Sequence, residues 1–335
     1  MSELHIKTIR RVPKPERRPT RLSALILWGI AAAGLVAFPM VSPLLDSLMG
    51  GFNPHVQLLV SNALYYLIFA ALPVFLLAKR RPGLYMAYRP NPISLFNTIC
   101  VVVLALLGMF FANDLAVLWS IPLQRLGFDV LSTSLPAATN SFELMLSVIY
   151  VAVLPGICEE FLFRGAVLSA FEEEGTRRAM IASSLLFTLV HGTIAGAPTQ
   201  FILGMILAYL VFWTDSIYAG LIYHTVHNTA SILLQFAQDR SIAPDTAAQS
   251  TDLLELVGGV GGVGVLAMEI LLSGAMILFS LKMFRLRGRL SGITEDPRKK
   301  KPWGRWDLIV LVLGLILCGV LYGMDICVRT NILGG

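Results

Sequence analysis

Charge is what this sequence is short of. Asp, Glu, Lys and Arg make up 14% of its 335 residues, against 56% hydrophobic residues, whereas soluble domains carry about 25% charged residues. With a mean hydropathy of +0.73, that scarcity excludes a soluble globular domain. Cysteine is scarce too. Cys100, Cys158, Cys318 and Cys327 fall in or at the ends of apolar runs without metal-ligand spacing, and they read as small buried hydrophobes. Cys158 borders two glutamates, yet a thiol embedded in an apolar helix is a poor nucleophile. No HExxH pair places two zinc ligands on one helix. No internal repeat, low-complexity linker or soluble specificity domain is found. The first twenty residues lack the short basic region and cleavage site of a secretory signal, and are read as retained.

What is there is a series of apolar runs, each near the roughly 20 residues that a bilayer-spanning helix requires. They cover 22–45, 56–78, 93–121, 142–171, 179–195, 199–214, 217–237, 255–281 and 307–327. The expected fold is therefore an all-α polytopic membrane protein of about nine transmembrane helices. A basic tail over 1–21 precedes a single transmembrane domain over 22–335. Basic residues collect before the first run, after the second (Lys79, Arg80, Arg81, Arg89), after the fourth (Arg177, Arg178) and between the last two (Lys282 to Arg305). Counted as cytoplasmic by the positive-inside rule, these segments alternate and put the N-terminus inside. They also account for the pI of about 9.1 through topology and contact with anionic lipid, which leaves no charge calling for nucleic acid. In the tract VGGVGGVG, Gly258 and Gly262 have the spacing that lets membrane helices approach closely.

Ionisable residues inside spanning helices are costly and mark function. Here they gather in the fourth, fifth and seventh runs. The fourth contains LPGICEEFLFRG, with Glu159, Glu160 and Arg164; the fifth contains FTLVHG, with Phe187 and His191; the seventh contains YHTVHNTA, with His224, His227 and Asn228. At about 1.5 Å per residue, Glu159 and His191 lie roughly 18 Å from the cytoplasmic ends of their runs, and His224 and Asn228 roughly 10 and 16 Å. One cavity on the cytoplasmic side of the midplane would hold them all. Residues four apart share a helical face, so Glu160 and Arg164 should pair, while Glu159 is turned about 100° away and lacks that partner. Phe187 is placed to pack on His191. A carboxylate with an imidazole activates water, and an asparagine amide with a histidine N–H holds an oxyanion. Pro155 and Gly156 should loosen the helix and admit water. His5 and His55 read as ordinary surface positions. Asp114 and Glu269 lie within spans without an evident partner.

These motifs resemble EExxxR, FxxxH and HxxxN of the type II CAAX prenyl endopeptidase family and its bacterial relatives, the CPBP or ABI intramembrane proteases. They read Glu159-Glu160-Phe-Leu-Phe-Arg164, Phe187-Thr-Leu-Val-His191 and His224-Thr-Val-His-Asn228 within a core at 142–237. The resemblance implies a glutamate-dependent intramembrane endopeptidase without a cofactor. Glu159 would be the general base assisted by His191, His224 and Asn228 the oxyanion site, and Glu160 and Arg164 the support. His227 matches no family position. The implied substrate is a membrane-embedded or membrane-associated peptide, and the lean loops point to a bacterial cytoplasmic membrane. Two alternatives stand beside this reading. One is a zinc-dependent hydrolase with Glu159, His191 and His224 as ligands; the other is a non-catalytic scaffold or bacteriocin-immunity protein.

Overall fold

A computed structural model describes residues 19–80, 88–130, 136–241, 252–295 and 302–330. Most of the basic tail, together with Arg81 and the basic run Arg298 to Lys301, lies outside the described residues. Among those described there is no strand, and nine helices have sixteen residues or more. They are α1 (Arg21–Leu48), α2 (Pro54–Lys79), α3 (Leu95–Arg125), α4 (Ser141–Glu174), α5 (Thr176–His191), α6 (Ala197–Thr214), α7 (Ile217–Ser241), α8 (Gly259–Leu290) and α9 (Arg305–Arg329).

Seven of the nine are long and apolar enough to cross a membrane. The other two are α5 and α7, both of which carry motif residues. At sixteen residues α5 reaches about 24 Å, short of the roughly 30 Å hydrocarbon layer, while α7 is diluted by histidines, Asn228 and other polar groups. The chain is thus an all-α integral membrane protein, and two of the three motif-bearing helices are the ones with the weakest membrane signal.

Local chemistry sets the helix starts. The Thr20, Ser94 and Asn140 side chains accept the first free backbone N–H groups of α1, α3 and α4, as N-caps do. Asn53 followed by Pro54 starts α2 in the same way. Helix α5 stops earlier than the expected residue 195 because Gly192 takes a left-handed conformation, φ +63°, the usual helix C-cap. Helices α2 and α4 contain π-helical stretches at Tyr66–Ala71, Val148–Val153 and Glu160–Val167. The first two lie just before Pro73 and Pro155, where the helical ladder loses a donor.

Helix α5 packs on α6, α1 on α9, and α3 on both α7 and α8. One buried core runs through α1, α4, α5 and α6 around Trp28, Phe163 and Phe187; a second joins α3, α6, α7 and α8 around Leu104, Leu207 and Tyr223. Helix α4 lies against the α7 side of this assembly, and its motif residues point inward.

Several expectations need correction. Gly258 does not serve helix–helix approach: it is the left-handed N-cap of α8, φ +91°. A Cβ on Gly262 would meet the Val257 carbonyl oxygen at 1.6 Å, so that glycine clears its own chain's turn. Of the four cysteines only Cys318 is buried, the others being partly exposed. Arg21 and Arg89 are not free for lipid headgroups. Arg21 is buried on Glu174 at 2.7 Å, and Arg89 is buried between Glu172 and Asp215. His55, read as a surface position, is 2% exposed and bonds Ser147 and Tyr150 of α4, each at 3.1 Å.

Candidate active site

The three motifs meet around the middle of α4. Glu160 and Arg164 are both fully buried and lie 2.9 Å apart, in an ion pair whose Nη1–H is not aligned along the contact. Arg164 also donates to the Gly204 carbonyl at 3.3 Å, and its guanidinium lies 4.5 Å from the centre of the Phe187 ring. Glu160 is shared, because His224 Nδ1 is 3.0 Å from the same Oε1. Gly220 allows that approach: a Cβ there would stand 2.5 Å from Glu160 Oε2.

Glu159 is less buried, its side chain 13% exposed, and it is not alone. The Tyr66 hydroxyl of α2 donates to Oε1 at 2.6 Å. Oε2 is buried without a hydrogen-bond partner, and two histidine nitrogens face it: His191 Nε2 at 4.0 Å and His224 Nε2 at 3.9 Å. The tautomers follow from the other side of each ring. His191 Nδ1 lies 2.6 Å from the Phe187 carbonyl, which can only accept, so Nδ1 carries the hydrogen. His224 Nδ1 faces the carboxylate already paired with Arg164 and is a donor on the same ground. In the neutral rings both Nε2 atoms are therefore bare lone pairs directed at Glu159. Phe187 does two jobs here, since its carbonyl orients His191 and its ring packs 4.5 Å from that imidazole and 6.2 Å from His224.

Asn228 reaches α4 one turn after His224 on α7. The Asn228 amide donates to the Val151 carbonyl of α4 at 2.9 Å. Pro155, four residues after Val151, has no N–H to offer that carbonyl, and the Asn228 amide brings a donor to it. One of its two amide hydrogens is thus committed.

Sequence reasoning missed two contributors. Tyr66 sits on α2, outside the motif-bearing core, and its only sequence signal is a tyrosine pair inside an apolar run. Asp325 sits near the end of α9. It accepts from the Ile194 backbone N–H at 3.0 Å and is held by Arg329 at 2.7 Å, while Trp119 donates to the Ile194 carbonyl at 3.0 Å. The turn that follows His191 is thereby anchored on both sides.

The arrangement can orient a water molecule, which hydrogen-bonds at about 2.8 Å and so bridges atoms roughly 4 Å apart. A tetrahedral zinc brings its ligand atoms to about 3.4 Å of one another, closer than the 3.9 and 4.0 Å found here. Among the described residues no group of three or more His, Cys, Asp or Glu side chains is arranged to hold a metal ion.

Residues 141–230 match a family model described as type II CAAX prenyl endopeptidase Rce1-like. No curated protein and no solved structure matches the chain.

Proposed function

We propose, from the match of residues 141–230 to the type II CAAX prenyl endopeptidase Rce1-like model, that the chain is a glutamate-dependent endopeptidase working inside the membrane. The observation that carries this reading is the convergence of two bare imidazole nitrogens on one buried carboxylate oxygen, Glu159 Oε2.

Three acceptors around one point call for a molecule that donates hydrogens, and water is the one this chemistry consumes. Glu159 takes a proton from that water as it attacks the peptide carbonyl carbon. The Tyr66 hydroxyl on Oε1 holds the carboxylate in place. His191, oriented by the Phe187 carbonyl, shares the proton and passes it to the departing amine. The second amide hydrogen of Asn228 is a donor for the oxyanion, and His224 is another when its ring enters the step as imidazolium, its Nε2 proton drawn from solvent beforehand and returned there afterwards. Glu160 and Arg164 stay out of the chemistry: they fix His224 and the turn of α4 that bears Glu159. The substrate is a membrane-embedded or membrane-associated peptide, and the setting a bacterial cytoplasmic membrane, with anionic lipid against the exposed basic segments.

Comparison of the membrane proteomes of wild-type and Glu159→Gln cells tests this. The expected result is a peptide or protein that accumulates uncut in the variant. Identical proteomes with an unchanged cellular phenotype would favour the scaffold reading.

A further inference from the structure

Helices α2 and α4 run parallel in a nearly constant register. The Asn53 amide donates to Glu143 Oε1 at 2.8 Å. His55 Nδ1 lies 3.1 Å from both Ser147 Oγ and the Tyr150 hydroxyl, and the Tyr66 hydroxyl donates to Glu159 at 2.6 Å. These partners are 90, 92, 95 and 93 positions apart along the chain. Polar contacts therefore join the two helices both at their starts and at the site.

The contact at the helix starts is held from several directions. The Thr139 backbone N–H and hydroxyl donate to Glu143 Oε2 at 2.7 and 2.8 Å, and His55 Nε2 faces the same oxygen at 3.8 Å. Both ring nitrogens are thus turned to α4. From there to the site α2 is an uninterrupted α-helix, Pro54–Tyr65, whose only buried residues are His55 and Tyr65. Tyr65 is pinned to α1 through the Ala31 carbonyl at 3.2 Å. His55 and Tyr66 are eleven residues apart, three turns and about 16 Å along one helical face. A rod pinned at one point can still turn, and a second pin at its far end removes that freedom. The Tyr66 bond needs the constraint, since a separation of about 1 Å more would break it.

We infer that His55 is a positioning residue for the reaction: its contacts with Ser147, Tyr150 and Glu143 fix α2 on α4, and through that rigid helix they hold the Tyr66 hydroxyl on Glu159. The effect on turnover rests on the glutamate-dependent reading above, whereas the placement of Tyr66 does not.

Fluorine NMR of the full chain in detergent, carrying 3-fluorotyrosine, tests the placement without any substrate. The Tyr66 resonance is the one that disappears in Tyr66→Phe, and its position in Glu159→Gln marks the altered hydrogen bond. In His55→Ala it should move toward that position. In His55→Asn, whose amide sits where Nδ1 does and can bond the same hydroxyls, it should stay near the wild-type value. Because His55→Ala can fail to fold, Ser147→Ala combined with Tyr150→Phe strips both partners from Nδ1 with the imidazole in place, and should move the signal the same way. Turnover should follow. His55→Ala should be slower by up to the roughly 10- to 100-fold expected of Tyr66→Phe, and adding it to Tyr66→Phe should change the rate by less than about 2-fold. A Tyr66 resonance that stays put in these variants, or rate losses that multiply, would overturn the inference. A protein that shows the fluorine response but cuts no peptide supports the placement and contradicts the hydrolase reading instead.

Discussion

His191 and His224 stand on different helices, α5 and α7, and turn their Nε2 atoms to one oxygen, Glu159 Oε2, at 4.0 and 3.9 Å. That geometry requires both rings to carry their hydrogen on Nδ1, against the Phe187 carbonyl and the Glu160 carboxylate. Nitrogen-15 spectra of histidine-labelled protein should therefore show two Nδ1-protonated rings that are lost, one each, in His191→Gln and His224→Gln. Assignment of either ring as the neutral Nε2-protonated tautomer would contradict the placement.

Tyr66 contributes one hydrogen bond to a carboxylate. Such bonds contribute about 1.5–3 kcal/mol, so Tyr66→Phe should slow turnover by roughly 10- to 100-fold while leaving thermal unfolding in detergent nearly unchanged. An unaffected rate would remove Tyr66 from the site.

Asn228 and Pro155 should be coupled. Replacing Asn228 by Leu leaves the Val151 carbonyl without its donor, at a cost of about 1–3 kcal/mol. Pro155→Ala restores a backbone N–H that can serve the same carbonyl, so the cost of Asn228→Leu should shrink in that background. A double-mutant cycle of thermal stability measures the difference; strictly additive effects would refute the link.

Much of this was legible in the residues because membrane signals are blunt. Apolar runs mark helices, and i, i+4 spacing is enough to bring Glu160 to Arg164. Relations between helices were less visible. Tyr66 looks like any apolar-run aromatic until α2 is laid beside α4. His55 follows a proline at a helix start and reads as exposed, yet it is covered by Ser147 and Tyr150. Helix spacing separated Glu159 from Arg164, but it could not show that the Tyr66 hydroxyl holds the carboxylate's other oxygen. Asn228 was read through its motif, although Pro155, four residues beyond Val151, already marked the carbonyl that its amide reaches. The turn after His191 depends on Asp325, more than a hundred residues away along the chain.

The pair inside α4 predicts an asymmetry. Arg164→Met leaves Glu160 buried with a charge that its remaining neighbours compensate poorly, and should destabilise by about 3–5 kcal/mol. Adding Glu160→Gln should recover part of that loss. Separately, Gly220→Ala drives a methyl toward Glu160 Oε2 at 2.5 Å and Val211 Cγ2 at 2.8 Å and should cost about 1–3 kcal/mol. Gly261→Ala, with nothing within 4 Å, should be neutral or stabilising. Equal responses at the two glycines would contradict the packing of α7 on α4.

The central claim is that the Glu159 carboxylate, without metal, is the base that turns water into the nucleophile. Its direct test is cleavage of the precursor recovered from Glu159→Gln membranes, by purified protein in lipid nanodiscs with a strong chelator present. Wild-type protein is expected to cut it under those conditions, and Glu159→Gln to be slower by about 100- to 10,000-fold. Wild-type activity abolished by the chelator and restored by zinc, or a Glu159→Gln variant that cuts at the wild-type rate, would contradict the account.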